Sequence, residues 1–368
     1  MSKIDDLIKE LCPDGVEFVC LDEVASLQRG SAITKKNITP GDVPVVAGGQ
    51  RPAYFHSESN RSAHTVVVAG SGAYAGFVSF WSVPIFVSDA FSIEPLGDEV
   101  ISKYIFYILK NRQAELHNLK RGSGVPHVYS RDVARWKIPV PPLEVQKEIV
   151  RVLDSFTELE AELEAELEAR KKQYEYYRNT LLTFEDDKNI TWVELGEVTK
   201  YEQPTKYIVR SSDYNDNFSI PVLTAGKTFI LGYTDESSGI YNASVHPVII
   251  FDDFTTANKW VDFDFKVKSS AMKIITSLDE GTALLKYIYH WLNTLPSGLV
   301  EGDHKRQWIS SWSKKKIPIP PLEKQKQIVS ILDKFEKLTN DISIGLPAEI
   351  EARHKQYEYY RNKLLTFE

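Results

Sequence analysis

Two rhythms of apolar positions alternate along this chain, and the pair occurs twice. The first rhythm is short and strand-like. From Ser62 to Ser88 no residue is charged, counting His64 as neutral. A stretch of that length can span a bilayer. Gly70, Gly72, Gly76, Pro84 and several serines interrupt it, leaving pieces such as Val66-Val-Val68 and Phe77–Trp81. Buried strands joined by glycine turns are therefore predicted, not a membrane helix.

The second rhythm is helical. After a proline cluster, apolar residues recur at Ile149, Leu153, Phe156, Leu159, Leu163, Leu167, Tyr174, Tyr177 and Leu181, mostly in steps of three and four. Pro142 suits the first turn of a helix and Glu144 its positive end. No glycine or proline interrupts Leu143 to Phe184. One helix of about 42 residues, roughly 63 Å long, is predicted. A second stripe runs through Ile328, Leu332, Phe335, Leu338, Ile342, Ile350, Tyr357, Tyr360 and Leu364. Gly345-Leu346-Pro347 should kink or break that helix near its middle. A lone helix cannot bury such a stripe, so each is expected to pair with the other. The expected interface comprises Ile149, Leu153, Phe156, Tyr174, Tyr177 and Leu181 against Ile328, Leu332, Phe335, Tyr357, Tyr360 and Leu364.

The pairing of rhythms is a tandem duplication. IPVPPLEVQKEIV at 138–150 returns as IPIPPLEKQKQIV at 317–329. RKKQYEYYRNTLLTFE at 170–185 returns at 353–368 with 14 of 16 positions identical. A period near 180 residues is far too long for a solenoid, so each copy should be a whole domain plus a helix. The segments before each block match only faintly but in order, as in Pro44–Gly49 with Pro221–Gly226. Two domains of one fold with different surfaces are expected. The chain divides into a first domain at 1–141, a central helix at 142–185, a second domain at 186–320 and a C-terminal helix at 321–368. The fold class is α+β, two similar mixed domains each followed by a long helix, with the helices paired as an antiparallel coiled coil.

Within the first helix Glu-Leu-Glu-Ala occurs three times, at 158–161, 162–165 and 166–169. Four residues add about 6 Å and one turn plus about 40°. A tetrad can be gained or lost while the stripe shifts little, as in a stutter. Such a tract suits a spacer between two domains.

Composition changes this picture little. The 368 residues carry 44 basic and 51 acidic side chains, net −7. Residues 1–137 are neutral, 138–185 carry −5, 186–316 carry −2 and 317–368 are neutral. The acidity thus sits mainly in the first helix, and either domain can still present a basic face. Two cysteines, Cys12 and Cys20, make neither a disulfide framework nor a four-ligand zinc site. The start at Met1-Ser-Lys-Ile-Asp-Asp6 has no signal-peptide pattern.

Catalytic signatures are weak. Ala225-Gly-Lys-Thr228 ends like a phosphate loop, but position 221 is proline where the first glycine belongs. Gly70-Ser-Gly72 lacks the βαβ frame of a dinucleotide site. Asp252, Asp253, Asp264 and Lys266 faintly suggest a metal nuclease. His290 with His304, and His56 with His64, lack ligand spacing. The chain is expected to hold no metal and to perform no chemistry itself.

Polar, basic and aromatic residues gather instead in glycine-rich loops, the composition suited to a nucleic-acid groove. In the first domain these are Gln50, Arg51, Tyr54, Lys120, Arg121, Ser123, His127, Tyr129 and Arg131. In the second they are Lys227, Thr255, Asn258, Lys259, Trp260, Lys268, His304, Lys305, Arg306 and Gln307. Arginine and lysine bond guanine edges, and asparagine and glutamine bond adenine edges.

Two variable domains, each closed by Ile-Pro-x-Pro-Pro-Leu-Glu-x-Gln-Lys-x-Ile-Val and a long helix, resemble the specificity subunit of a type I restriction-modification enzyme over nearly the whole chain. The tetrads and the repeated Tyr-Glu-Tyr-Tyr-Arg-Asn blocks resemble its IC branch. The resemblance implies two target recognition domains, each reading half of a divided, asymmetric site in double-stranded DNA, with the coiled coil as a ruler. It implies two modification subunits that bind S-adenosylmethionine and methylate adenine, and restriction subunits that use ATP and magnesium. It implies a bacterial or archaeal cytoplasm and no cofactor on this chain. The alternative is a scaffold whose two domains bind proteins.

Overall fold

The computed structural model describes residues 3–122, 124–184, 190–225, 228–296, 306–341 and 343–367. The chain forms two compact units, one of residues 1–164 with 349–368 and one of residues 165–348.

In the first unit the charge-free stretch becomes strands, as its glycine turns predict. A four-stranded antiparallel sheet has the spatial order Ala25–Arg29, Ala90–Pro95, Thr65–Ala69, Val78–Trp81. A three-stranded sheet sets Val43–Val46 between Tyr54–His56 and the parallel strand Phe86–Val87. Helix Ser102–Asn111 buries Tyr104, Ile105, Tyr107, Ile108 and Leu109. Gly76 turns the chain at φ 83°, where a Cβ would lie 2.8 Å from the Leu116 carbonyl. Among the described residues, no helix is long and apolar enough to cross a membrane.

The second unit repeats this topology. Its four-stranded sheet runs Thr199–Glu202, Met272–Ser277, Val248–Asp252, Asn258–Val261, and its three-stranded sheet sets Ile220–Leu223 between Ile230–Thr234 and the parallel strand Lys266–Val267. Helix Leu285–Leu292 takes the place of Ser102–Asn111 and is buried nearly throughout.

The proline clusters work alike in both copies. Lys137–Pro139 pairs with Phe18–Cys20, and Lys316–Ile319 with Thr191–Glu194. The buried hydroxyls of Tyr104 and Tyr287 donate to the carbonyls of Pro139 and Pro318. The prolines hold the chain extended, and the helices start just beyond them.

The central helix runs Leu143–Leu181, 39 residues, three short of the span the pattern suggests. The second stripe is divided into Leu322–Asn340 and Leu346–Thr366. The break falls where expected. A Cβ on Gly345 would lie 2.6 Å from the carbonyls of Asp341 and Lys337. Ile342 lies outside the described residues.

The helix seam is narrower than the apolar stripe. Ile149 and Leu153 are fully buried in the first unit's core, and Ile328 and Leu332 in the second's. They face their own domains, because the first turns of each long helix pack against that domain's own helix, Ser102–Asn111 or Leu285–Leu292, and are tied to it through Asp154 or through Asp333 and Glu336. The later turns close a different core. Tyr357, Leu364 and Leu365 belong to the first unit's core, and Tyr174, Leu182 and partly buried Leu181 to the second's. Each unit thus draws on both copies of the repeated block. The helix-to-helix contacts are aromatic. Phe156 lies 5.6 Å from Tyr360 and 6.3 Å from Tyr357, and Phe335 lies 5.5 Å from Tyr177 and 6.3 Å from Tyr174. Glu160 reaches back to His354, so the first of these pairs is antiparallel.

Candidate nucleic-acid interface

Three loops of the first unit meet at one end of its sheet. A Cβ on Gly48 would lie 2.4 Å from the Ser71 carbonyl, so two loops touch backbone to backbone. Ser71 bridges to His127, Val128 N–H donates to the Gly70 carbonyl and Gly72 N–H to that of Pro126. Arg121 and His127 exchange backbone hydrogen bonds at 3.0 and 2.8 Å, with Gly122 between them at φ 113°. This framework exposes Gln50 and Arg51 on one loop, Arg121 and Tyr129 on another, and Arg131 in the short helix Ser130–Ala134 that follows. Tyr54 opens its strand 39% exposed.

Tyr129 is the centre of a stack. The His127 ring lies parallel to it at 6.0 Å, and the Arg131 guanidinium sits 5.1 Å above the Tyr129 ring. Such a platform offers π-faces and a positive charge together. Arg121 leans on Asp132 at 3.2 Å but stays mostly exposed. Lys120 is different: its ammonium bonds the Ala73 carbonyl at 2.8 Å and ties two loops together. Ser123 lies outside the described residues.

In the second unit Asp252 folds its loop by accepting the N–H groups of Phe254 and Thr255 and the Thr255 hydroxyl at 2.5 Å. Thr255 therefore spends its hydroxyl inside the loop. Asp253, nearly inaccessible, pairs with buried Lys273 at 3.2 Å. It also accepts the backbone N–H groups of Gln307 and Trp308, both at 2.9 Å. Trp308 is buried against Phe251, which fixes exposed Arg306 and half-buried Gln307 beside the loop. Lys268 is exposed and bonds the Ser212 hydroxyl. Lys259 is exposed on its strand. Lys227, His304 and Lys305 lie outside the described residues.

Trp260 and Asn258 differ from the sequence expectation. Strand alternation turns both toward the helical layer. Trp260 packs 4.4 Å under the Lys286 ammonium and 6.0 Å from Tyr289. Asn258 is half-buried, and its Oδ1 has no hydrogen-bond partner among the described residues.

The acidic residues that faintly suggest a nuclease each serve the fold. Asp264 accepts from Ser244, and Lys266 is buried against Glu236 and the carbonyls of Ser238 and Gly239. His290, Asp333 and Glu336 do converge, within 4.8 Å of one another. Lys286 already supplies their cation, at 3.1 Å from Glu336 and 3.6 Å from Asp333. The first unit has the same lock, with Lys103 at 2.8 Å from Asp154 and the Tyr107 hydroxyl on the same carboxylate. Burial and the nearby Glu336 push the Tyr174 hydroxyl up to about 12, and it meets His290 Nδ1 at 3.4 Å. These groups clamp a helix.

Sequence reasoning passed over Arg29, an exposed residue at a strand end that lines a cleft with His127 and Tyr129. Only strand pairing brings Arg29 to the loops, so no local motif signals it.

The profile of the type I restriction modification DNA specificity domain matches residues 13–169 and 187–352. The type I restriction enzyme EcoR124I/EcoR124II specificity subunit of Escherichia coli is 64% identical over 189 residues, which span 50% of this chain and 46% of that protein. A Haemophilus influenzae protein named for the same kind of subunit is 31% identical over 381 aligned positions, 96% of each chain. The solved S subunit of a type I system from M. genitalium superposes with a TM-score of 0.70 at 16% identity, over 95% of this chain and 96% of that one. A chain from a type I R-M assembly gives 0.55 at 18% identity, over 96% and 98%. At these identities the two structures speak for the fold.

Proposed function

This chain belongs to the family of type I restriction-modification DNA specificity subunits, and from that premise we propose that its two units each read one half of a divided, asymmetric DNA site. One observation carries the reading. The same sheet order occurs twice, and the loops at corresponding ends carry different exposed side chains. One scaffold with two chemistries suits two different half-sites. Gln50, Arg51, Tyr54, Arg121, His127, Tyr129 and Arg131 face one half, and Lys259, Lys268, Arg306 and Gln307 the other. Lys120 and Thr255 act through the loops they hold.

The helices act as the ruler. Half-sites on one face of DNA lie about one turn, roughly 34 Å, apart. A stiff helix fixes such a spacing, whereas a flexible linker blurs it. The chain itself carries out no chemistry in this reading. Two modification subunits bind S-adenosylmethionine and methylate one adenine in each half-site, and restriction subunits using ATP and magnesium cut unmodified DNA.

A gel-shift titration of the full chain, alone and with modification subunits, tests this. Affinity should fall steeply with salt and depend on sequence. A protein scaffold would show neither dependence, and that result would overturn the reading.

A further inference from the structure

We infer that Arg29 and Asp89 together read one G·C base pair in the half-site taken by the first unit, an inference that rests on the DNA reading above. Arg29 ends the strand Ala25–Arg29, opposite Phe91. Its carbonyl accepts from Arg61 Nη2 at 3.1 Å, and the next N–H, that of Gly30, donates to the Ala90 carbonyl at 2.9 Å. The close fit there demands glycine, since a Cβ on Gly30 would lie 2.2 Å from the Ser88 carbonyl. The backbone of Arg29 is thus held by the sheet. Its side chain is exposed and, among the described residues, has no ion pair or hydrogen bond. A contact group carried on a strand is more accurately placed than one on a loop.

The same cleft is lined by Asp89, His127, Tyr129 and Ser130. Exposed Asp89 takes the Ser71 hydroxyl on Oδ2, and its other carboxylate oxygen has no partner among the described residues. The cleft holds about 80 Å³. Ligand pockets start near roughly 300 Å³, so it cannot enclose an extruded base. It can meet a base edge. In the major groove a G·C pair offers two acceptors, guanine O6 and N7, beside one donor, the cytosine N4 amino group. An arginine fork next to a carboxylate is the complement of that pattern. The corresponding position in the second unit is Gln203, one past Glu202, which pairs with Ile274. Its Oε1 is buried and, among the described residues, has no hydrogen-bond partner. That oxygen is out of contact with solvent, so Gln203 does not present the amide fork an adenine edge needs, and the two units differ at this structural position.

The test is selection by the full chain, assembled with modification subunits, from duplexes randomised over both half-sites. The wild type should require G·C at one position of one half-site. Arg29→Ala should lower discrimination there by about 5- to 150-fold and leave the other half-site unchanged. Arg29→Lys keeps the charge but loses the fork, and should lose most of the same discrimination. Asp89→Asn should relax the choice at the same base pair. Equal weakening on all sequences by Arg29→Ala, with full recovery in Arg29→Lys, would assign Arg29 to phosphate and overturn the inference. Unchanged selection in all three variants would also overturn it while leaving the DNA reading intact. A wild type without any sequence preference would remove both.

Discussion

The Gln146 side-chain carbonyl accepts the backbone N–H of Ile101 at 3.0 Å, deep inside the first unit. Its amide donates to the carbonyls of Glu99 and Pro141, both at 2.8 Å. Gln325 repeats the arrangement with Leu284, Thr282 and Pro320. Both glutamines are wholly buried. The repeated glutamine of each closing block thus satisfies three backbone groups at the entry to its domain's helix, which ties the proline cluster to that helix.

Gln146→Leu should therefore destabilise the first unit. It leaves a buried N–H and two carbonyls unpaired, at about 1–3 kcal/mol for the N–H alone. Gln325→Leu should do the same to the second unit. Hydrogen exchange resolved by segment measures both. Loss of protection confined to residues 99–111 for the first variant and 282–292 for the second is the expected outcome.

Removing residues 355–368 should melt the first unit and spare the second. The deletion takes Tyr357, Leu364 and Leu365 out of the first core. Three such side chains contribute about 5–9 kcal/mol by burial, comparable to the whole stability of a domain. Calorimetry should lose one transition and retain the other. Loss of the second unit's transition would contradict the assignment of this segment.

Acid should reveal the clamp at the start of the central helix. Hydrogen bonding from Arg151, assisted by Lys3, lowers the Glu148 carboxyl to about 2. A carboxyl depressed on folding contributes stability above its ordinary value of about 4.5, and that contribution fades as pH falls toward 2. Glu148→Gln should lower Tm near pH 7, and its difference from the wild type should shrink between pH 4.5 and pH 2. Thermal melts across that range check the sign.

Trp260→Leu should cost stability without changing DNA choice. Trp260 packs under Lys286 and against the second core, away from the loops. Selection from randomised duplexes should return the wild-type sequence at a lower melting temperature. A changed half-site would return Trp260 to the reading surface.

The duplication, the strands in the charge-free stretch, the long central helix and the break at Gly345 were all legible in the sequence. Each rests on a local signal: repetition, glycine spacing, apolar period, or a Gly-Leu-Pro run. What stayed hidden depends on contacts distant along the chain. An apolar stripe shows that Tyr174 and Tyr357 are buried, but not that Tyr357 closes the first core and Tyr174 the second. Composition could not separate the exposed Arg131 from Lys120, whose charge is spent on the Ala73 carbonyl. Nor could it separate Lys259 from Trp260, because only the sheet's pairing settles which face of that strand meets the helices.

The three Glu-Leu-Glu-Ala tetrads lie within the unbroken helix Leu143–Leu181, with half-buried leucines and mostly exposed glutamates. Deleting residues 162–165 removes about 6 Å of helix and retains both reading surfaces. Mapping adenine methylation across a genome, with the wild-type and the shortened chain each assembled with modification subunits, tests the ruler most directly. The expected result is two unchanged half-sites separated by fewer unread base pairs. An altered half-site sequence, or an unaltered separation, would contradict it.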